Sequence, residues 1–219
     1  MKAVIFDLDG TLIDSMGVWE QIACNFLKDR GIPIPEGIGY KLKNMSFQES
    51  AEYYIKTFAL SETREELIET WNKLAYREYA ENINLKDGAF DYLTHLAKTG
   101  IKMGIATATC RRLAEAVLRR HGILSLFQVI VTLGEFAHGR GMSKGEPFIF
   151  LQAAQKLGVS PSECIVIEDS LHAVQGAIKA GMKVWAIYDR FSECEKPQLE
   201  ALAGRYLLGF HELLEEESQ

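Results

Sequence analysis

The stretch Ala3-Val4-Ile5-Phe6-Asp7-Leu8-Asp9-Gly10-Thr11 decides the fold. Four apolar residues in a row read as a strand buried on both faces, as strands of a parallel sheet are. Asp7 and Asp9 follow where the strand gives out. Side chains alternate along a strand, so two acids at its end reach one cleft only if the chain turns there, and Gly10 permits the turn. Close carboxylates repel each other, and burying them is costly unless a divalent cation or a retained proton resolves the conflict. An isolated Asp-x-Asp-Gly is also compatible with a solvated turn after an edge strand. The rest of the chain has to decide between the two.

Further short apolar runs of buried-strand character occupy residues 101–106, 128–132, 164–167 and 183–187. Between them apolar residues recur at helical spacing, each series closed by a glycine: Leu93 and Leu96 before Gly100, Leu113 and Val117 before Gly122, Ala153 and Leu157 before Gly158, Val174 and Ile178 before Gly181. Strand and helix in alternation predict an α/β fold, a Rossmann-like parallel sheet with helices on both faces. Ligands then bind outside the carboxyl ends of the strands.

Residues 15–84 carry only helical signals. Trp19, Ile22-Ala23 and Phe26-Leu27 share one face, and Gly31 with Pro33 ends that run. Ser46-Phe47-Gln48-Glu49 has the form of a capping box, and a further helix is expected from about Thr63. The apolar stripes predict core packing of a small α-helical domain inserted into the α/β core. The core would comprise residues 1–14 and 85–219, and the insert residues 15–84.

The chain has 219 residues, 47% of them hydrophobic, enough for a sizeable core. Its net charge of −6 and lack of long basic runs argue against nucleic acid or an anionic membrane surface as main partner. A small molecule fits better. The four cysteines are scattered, without metal-ligand spacing or the density of a disulfide scaffold, and read as reduced cytosolic thiols. No stretch approaches the roughly 20 apolar residues of a membrane span, so a cytoplasmic location is expected. A monomer is expected as well.

The later strands also end in chemistry-bearing residues. The second runs into Thr107-Ala108-Thr109, a hydroxyl and backbone N–H groups at the start of a helix, where an anion could be held. After the third, Gly139-Arg140-Gly141-Met142-Ser143 leads to Lys144, whose ammonium could neutralise a phosphate. The fourth ends in Glu168-Asp169. Taken singly, Thr107 reads as turn chemistry and Lys144 as a surface lysine. Together they converge with Asp7 and Asp9 on one sheet edge.

This ordered set, Asp7-x-Asp9-x-Thr11, Thr107, Lys144 and Glu168-Asp169, resembles the haloacid dehalogenase superfamily of phosphoryl-transfer enzymes. The segment from Glu168 to Met182 is similar to the branch holding β-phosphoglucomutase and many small-metabolite phosphatases, in which a helical cap follows the first motif. The resemblance implies a site between core and cap. It implies that Asp7 is the nucleophile, forming an aspartyl-phosphate, and that Asp9 is the general acid and base. It implies Mg2+ held by Asp7, Asp169 and the backbone carbonyl of Asp9, with Glu168 helping directly or through water. Thr107, the Ala108 N–H and Lys144 would cradle the phosphoryl group. Opening and closing of the cap about linkers near Asp14-Ser15 and Asn84-Leu85 is also expected.

Asp9 points to phosphate esters, because relatives that cleave carbon–halogen bonds lack this second aspartate. A mutase would also need to grip a second phosphate. In the mutase branch a cap histidine and a cap arginine do so, and their positions correspond here to Trp19 and Phe47, which offer neither charge nor proton. Lys43 or Arg77 could serve a different phosphate. Hydrolysis of a small phosphorylated metabolite, a sugar or polyol phosphate, is therefore the favoured expectation. Sugar phosphomutase action and noncatalytic sugar-phosphate binding are the alternatives. Three departures from the family pattern stand out. The usual Lys-Pro-x-Pro-Asp reads Lys144-Gly145-Glu146-Pro147-Phe148, which puts the support of Lys144 in question, Ala173 stands where glycine is frequent, and the cap exit reads Asp87-Gly88 in place of Pro-Gly. His172 could bond Asp169 or a substrate, or be an ordinary helix residue. Cys110 adjoins the phosphate loop and reads as incidental.

Overall fold

The computed structural model describes residues 1–38, 47–136 and 143–216, with Phe47 and Glu216 described by their backbone alone. Ser46 of the expected capping box, residues 139–142 of the glycine-rich loop and Lys43 lie outside them.

The apolar runs form six parallel strands: β1 (Ala3–Phe6), β2 (Lys102–Thr107), β3 (Val129–Thr132), β4 (Cys164–Glu168), β5 (Lys183–Ile187) and β6 (Arg205–Leu207). Their order across the sheet is β3-β2-β1-β4-β5-β6. The chain winds outward from β1 on one side, then crosses over and winds outward on the other. The reversal lies between β1 and β4, where ligands bind in open sheets of this type. The sequence reading lacks β6. Three residues at a sheet edge, one of them an arginine, carry no apolar run to recognise.

Among the described residues six α-helices accompany this sheet: α4 (Ala89–Thr99), α5 (Arg111–Arg120), α6 (Phe148–Leu157), α7 (Leu171–Lys179), α8 (Lys196–Leu202) and α9 (His211–Glu216). Alternation along β1 shows how both sheet faces are covered. Ala3 and Ile5 enter a core with Ile149, Phe150, Val174 and Leu199 of α6, α7 and α8. Phe6 points the other way, with ring centroids 6.3 Å from Tyr92 of α4, 6.1 Å from Phe127 and 6.3 Å from Phe210. β1 is fully buried, so the Val/Ile/Phe run was selected for burial on two faces rather than one.

Gly122, Gly158 and Gly181 adopt left-handed φ at helix ends, and in each case the following N–H reaches back five residues to close the last turn: Ile123 to Leu118, Val159 to Ala154, Met182 to Ala177.

The chain divides into two compact units, Met1–Met16 with Ile83–Gln219, and Gly17–Asn82. The second holds α1 (Val18–Lys28), α2 (Phe47–Phe58) and α3 (Arg64–Glu81). Its core is aromatic: Phe26 of α1 and Tyr54 of α2 each pack edge to face against Trp71 of α3, at 6.1 and 5.0 Å. A reciprocal capping box of Thr63 and Glu66 starts α3. Among the described residues no helix is long and apolar enough to cross a membrane.

Phe6 stitches β1 to three aromatic rings on one sheet face. Phe6→Ala should lower the unfolding free energy by roughly 3–5 kcal/mol, the cost of a large buried cavity. Urea denaturation followed by circular dichroism measures it.

Candidate active site

The sheet register builds the centre of the site. Phe6 pairs with Ile167 on one side and Ile105 on the other. One residue further along, Asp7 therefore lies beside Glu168, and its N–H donates to the Ile167 carbonyl at 3.0 Å. Two carboxylates 161 residues apart in the chain are brought side by side by backbone pairing.

Lys144 reconciles them. Its Nζ lies 2.6 Å from Asp7 Oδ1 and 2.5 Å from Glu168 Oε1, and all three side chains are nearly inaccessible to solvent. Burial by itself would lower the Lys144 pKa, but the Asp7 and Glu168 charges outweigh it and the net shift is upward. Glu168 spends its second oxygen on its own neighbours, accepting from the N–H groups of Asp169 at 2.5 Å and Ser170 at 3.2 Å.

After β1 the chain turns tightly. The N–H groups of Leu12 and Ile13 both reach the Leu8 carbonyl, at 2.9 and 3.0 Å, and Gly10 takes φ +81°. A β-carbon on Gly10 would also sit 2.6 Å from Asp169 Oδ2, so this position combines left-handed backbone with close approach of a carboxylate. Thr11, the last residue of the first motif, donates to Asp169 Oδ1 at 2.8 Å. The turn also faces Asp9 toward the second strand's end. Its Oδ2 accepts from Thr109 Oγ1 at 2.7 Å and, at a long 3.5 Å, from Thr107 Oγ1, while Oδ1 accepts from Ser15 Oγ at 2.7 Å. Thr107 in turn accepts the Thr109 N–H at 3.0 Å, which shapes the loop leading into α5.

Asp7, Glu168 and Asp169 each offer an oxygen within 4.8 Å of the others. Three buried carboxylates against one ammonium leave two negative charges uncompensated, the charge of a single divalent cation. Burial first, and the Glu168 charge second, push the Asp7 carboxyl up to about 8 against the pull of Lys144. The same two causes raise Asp169 well above the ordinary carboxylate range. A hard cation with an all-oxygen preference fits this donor set and would relieve that strain.

The structure thus gathers Asp7, Asp9, Thr107, Lys144, Glu168 and Asp169 at the sheet's carboxyl edge. Ala108 is exposed in the loop that follows Thr107. Trp19 and Arg77 lie in the helical unit. Trp19 is partly exposed in α1, and Arg77, on the surface of α3, pairs with Glu81 at 3.2 Å. The side chain of Phe47 and the whole of Lys43 are outside the described residues. His172 bonds the Ser143 hydroxyl and Asp169 accepts from Thr11, so the side-chain hydrogen bond of His172 goes to the residue before Lys144 and not to Asp169. Cys110 is exposed at the start of α5, and all four cysteines are unpaired.

Sequence reasoning overlooked the hydroxyls of Thr109 and Ser15 as partners of Asp9. Thr109 stands two residues beyond Thr107, the spacing that returns a side chain to the same side of an extended chain, and that signal was legible. Ser15 carried none, since its reach to Asp9 depends on the turn.

The sequence profile of the haloacid dehalogenase-like hydrolases matches residues 4–187. Hexitol phosphatase A of Escherichia coli is 31% identical over 85% of this chain and 82% of its own length. β-Phosphoglucomutase of Bacillus subtilis is 34% identical over 83% of this chain and 81% of its own. A solved structure from Thermotoga maritima, provisionally called a β-phosphoglucomutase, superposes with a TM-score of 0.85 at 25% identity, covering 100% of this chain and 99% of the other. The chain belongs to the haloacid dehalogenase-like hydrolase family.

Gly10→Ala would force strained backbone and push on Asp169. We expect it to lower the unfolding free energy by at least about 1–2 kcal/mol, the cost of a left-handed non-glycine residue. Urea denaturation of the wild-type and variant proteins tests this.

Proposed function

We propose that this enzyme is a Mg2+-dependent phosphatase that hydrolyses a small phosphorylated sugar or polyol through an aspartyl-phosphate on Asp7. The observation that carries the reading is the joint placement of Asp7 against Lys144 and of Asp9 against the Thr107–Thr109 loop, two carboxylates on one turn with different partners and hence different tasks.

In this reading the Asp7 carboxylate attacks phosphorus, forming an aspartyl–phosphorus bond as the bond to the substrate's ester oxygen breaks. Asp9 gives a proton to the departing alkoxide. It then takes one from water, whose oxygen attacks phosphorus and releases inorganic phosphate and the Asp7 carboxylate. Ser15 and Thr109 hold Asp9 through both of its oxygens. Lys144, Thr107 and the Ala108 N–H would bind the phosphoryl oxygens, where preorganised donors contribute most of the rate enhancement. Mg2+, held by Asp7 and Asp169 with Glu168 and the Asp9 carbonyl, would supply the remaining positive charge at the phosphoryl group.

Hydrolysis is favoured over transfer to a second sugar hydroxyl. A mutase needs a further cationic grip, and Trp19 and Phe47 offer none. Arg111, a cation beside the phosphate loop, is already held by Glu135 at 2.5 Å and by the Ile130 carbonyl at 2.6 Å. The likeness to hexitol phosphatase A supports a polyol or sugar phosphate as substrate. The likeness to β-phosphoglucomutase keeps sugar phosphomutase action as the second reading.

Phosphate release from a panel of sugar and polyol phosphates with Mg2+ tests the proposal. We expect release that stops with EDTA and with Asp7→Asn, and that falls about 10²–10⁴-fold with Asp9→Asn. Isomerisation of a hexose phosphate without net release would establish the mutase reading. Phosphate binding without either reaction would make the protein a binding protein.

A further inference from the structure

Lys144 is gripped from behind by one face of α7. His172, Gly176 and Lys179 are spaced by four and three residues, which places them on the same side of the helix. His172 Nε2 shares a hydrogen bond with the Ser143 hydroxyl. The Ser143 oxygen also accepts the Gly145 N–H at 3.1 Å, bridging the backbone across Lys144. Lys179 Nζ donates to the Gly145 carbonyl at 2.9 Å and pairs with Glu146 at 3.1 Å. Between them, Gly176 lets the chain come so near that a β-carbon there would lie 1.9 Å from the Lys144 carbonyl oxygen. The imidazole of His172 fills the space that a Gly145 side chain would take, since a β-carbon on Gly145 would lie 2.0 Å from its Cε1.

We propose that His172 is a positioning residue for Lys144, which replaces the backbone restraint lost where the chain carries Gly145 and Phe148 in place of proline and aspartate. Glycine leaves the residue after Lys144 with the widest choice of backbone angles, whereas proline would lock φ there. An outside restraint must hold the ammonium between two carboxylates instead. α7 is suited to this because it begins two residues after Asp169, so the lysine and its carboxylate partners are referred to the same rigid element. His172 itself is exposed and makes no contact with the Asp7–Glu168–Asp169 cluster among the hydrogen bonds described. Its effect on the reaction runs through Ser143 and the Lys144 backbone. The inference rests on the reading of Lys144 as a phosphoryl-binding residue.

The experiment compares His172→Ala, His172→Gln, Ser143→Ala and the wild-type protein in two measurements. The first is the rate at which Lys144 is acetylated by acetic anhydride, read by mass spectrometry on the metal-free protein, with the exposed Lys183 as internal standard. The second is the affinity for inorganic phosphate in the presence of Mg2+. We expect His172→Ala and Ser143→Ala to speed Lys144 acetylation by at least about threefold and to weaken phosphate binding about tenfold, modest fractions of the 10²-fold that a misplacement of about 1 Å can cost. His172→Gln, whose amide can reach the Ser143 hydroxyl, should restore both to within about twofold of wild type. Melting temperatures should stay close together, because His172 is exposed and Ser143 half-buried. Acetylation of Lys144 unchanged in both alanine variants overturns the inference, as does faster acetylation with unchanged phosphate affinity. Phosphate release that persists in Asp7→Asn would overturn Asp7 as the nucleophile instead, and leaves the acetylation result standing on its own.

Discussion

A single buried ammonium, that of Lys144, sits where the rest of the structure converges. Parallel pairing of β1 with β4 ends at Phe6 and Ile167, and the next residues, Asp7 and Glu168, are thereby brought side by side. Each charge removed from water costs several kcal/mol even after relaxation, and that cost is met only if partners and hydrogen bonds are well placed. Lys144 supplies one partner at 2.6 and 2.5 Å, and the N–H groups that follow Glu168 supply others. The loop before α6, the small residue at position 176 and the helix that carries it all serve to deliver that ammonium. Taking the lysine away would leave two buried acids facing each other.

One ammonium is not enough, and the shortfall is informative. With Asp169 added, the cluster holds more negative charge than it can stabilise alone, which is why burial and mutual repulsion drive both Asp7 and Asp169 upward. A core built for stability alone would not assemble such a group. The excess matches one divalent cation in sign, size and ligand type. Asp9, two residues from Asp7, adds to the charge that raises Asp7, but the turn at Gly10 sends its side chain to the hydroxyls of Ser15 and Thr109. A tight turn thereby gives two chemically identical side chains different partners.

The fold and the acid cluster define the family and the type of chemistry, yet they do not by themselves choose the acceptor of the phosphoryl group. The relatives make the point, since a hexitol phosphatase and a β-phosphoglucomutase are both about a third identical to this chain. Function resides in sites placed on folds, and here the deciding groups are those that would grip the organic part of the substrate. The engagement of Arg111 with Glu135, and the uncharged Trp19, are the features of this chain that weigh toward water as acceptor.

Much of the architecture was legible in sequence because burial leaves a local imprint. Unbroken apolar runs marked β1 to β5, and glycines marked helix ends. The motif acids were readable for the same reason, since each stands where an apolar run stops. Strand β6 was not, because three residues at a sheet edge need little apolar character, and the partners of Asp9 and His172 were not, because hydrogen bonds between distant segments leave no periodicity. Residues alone determined that carboxylates and a hydroxyl would end strands and that a lysine would follow in the loop after the third. Only the tertiary structure decided that Asp7 meets Glu168 across Lys144, that Asp169 lies over Gly10, and that His172 serves the loop of Lys144 rather than the acids beside it. The reason is physical: a strand's buried character is written in its own residues, whereas the distance between two charges is set by register, turn and close approach, which belong to the whole chain.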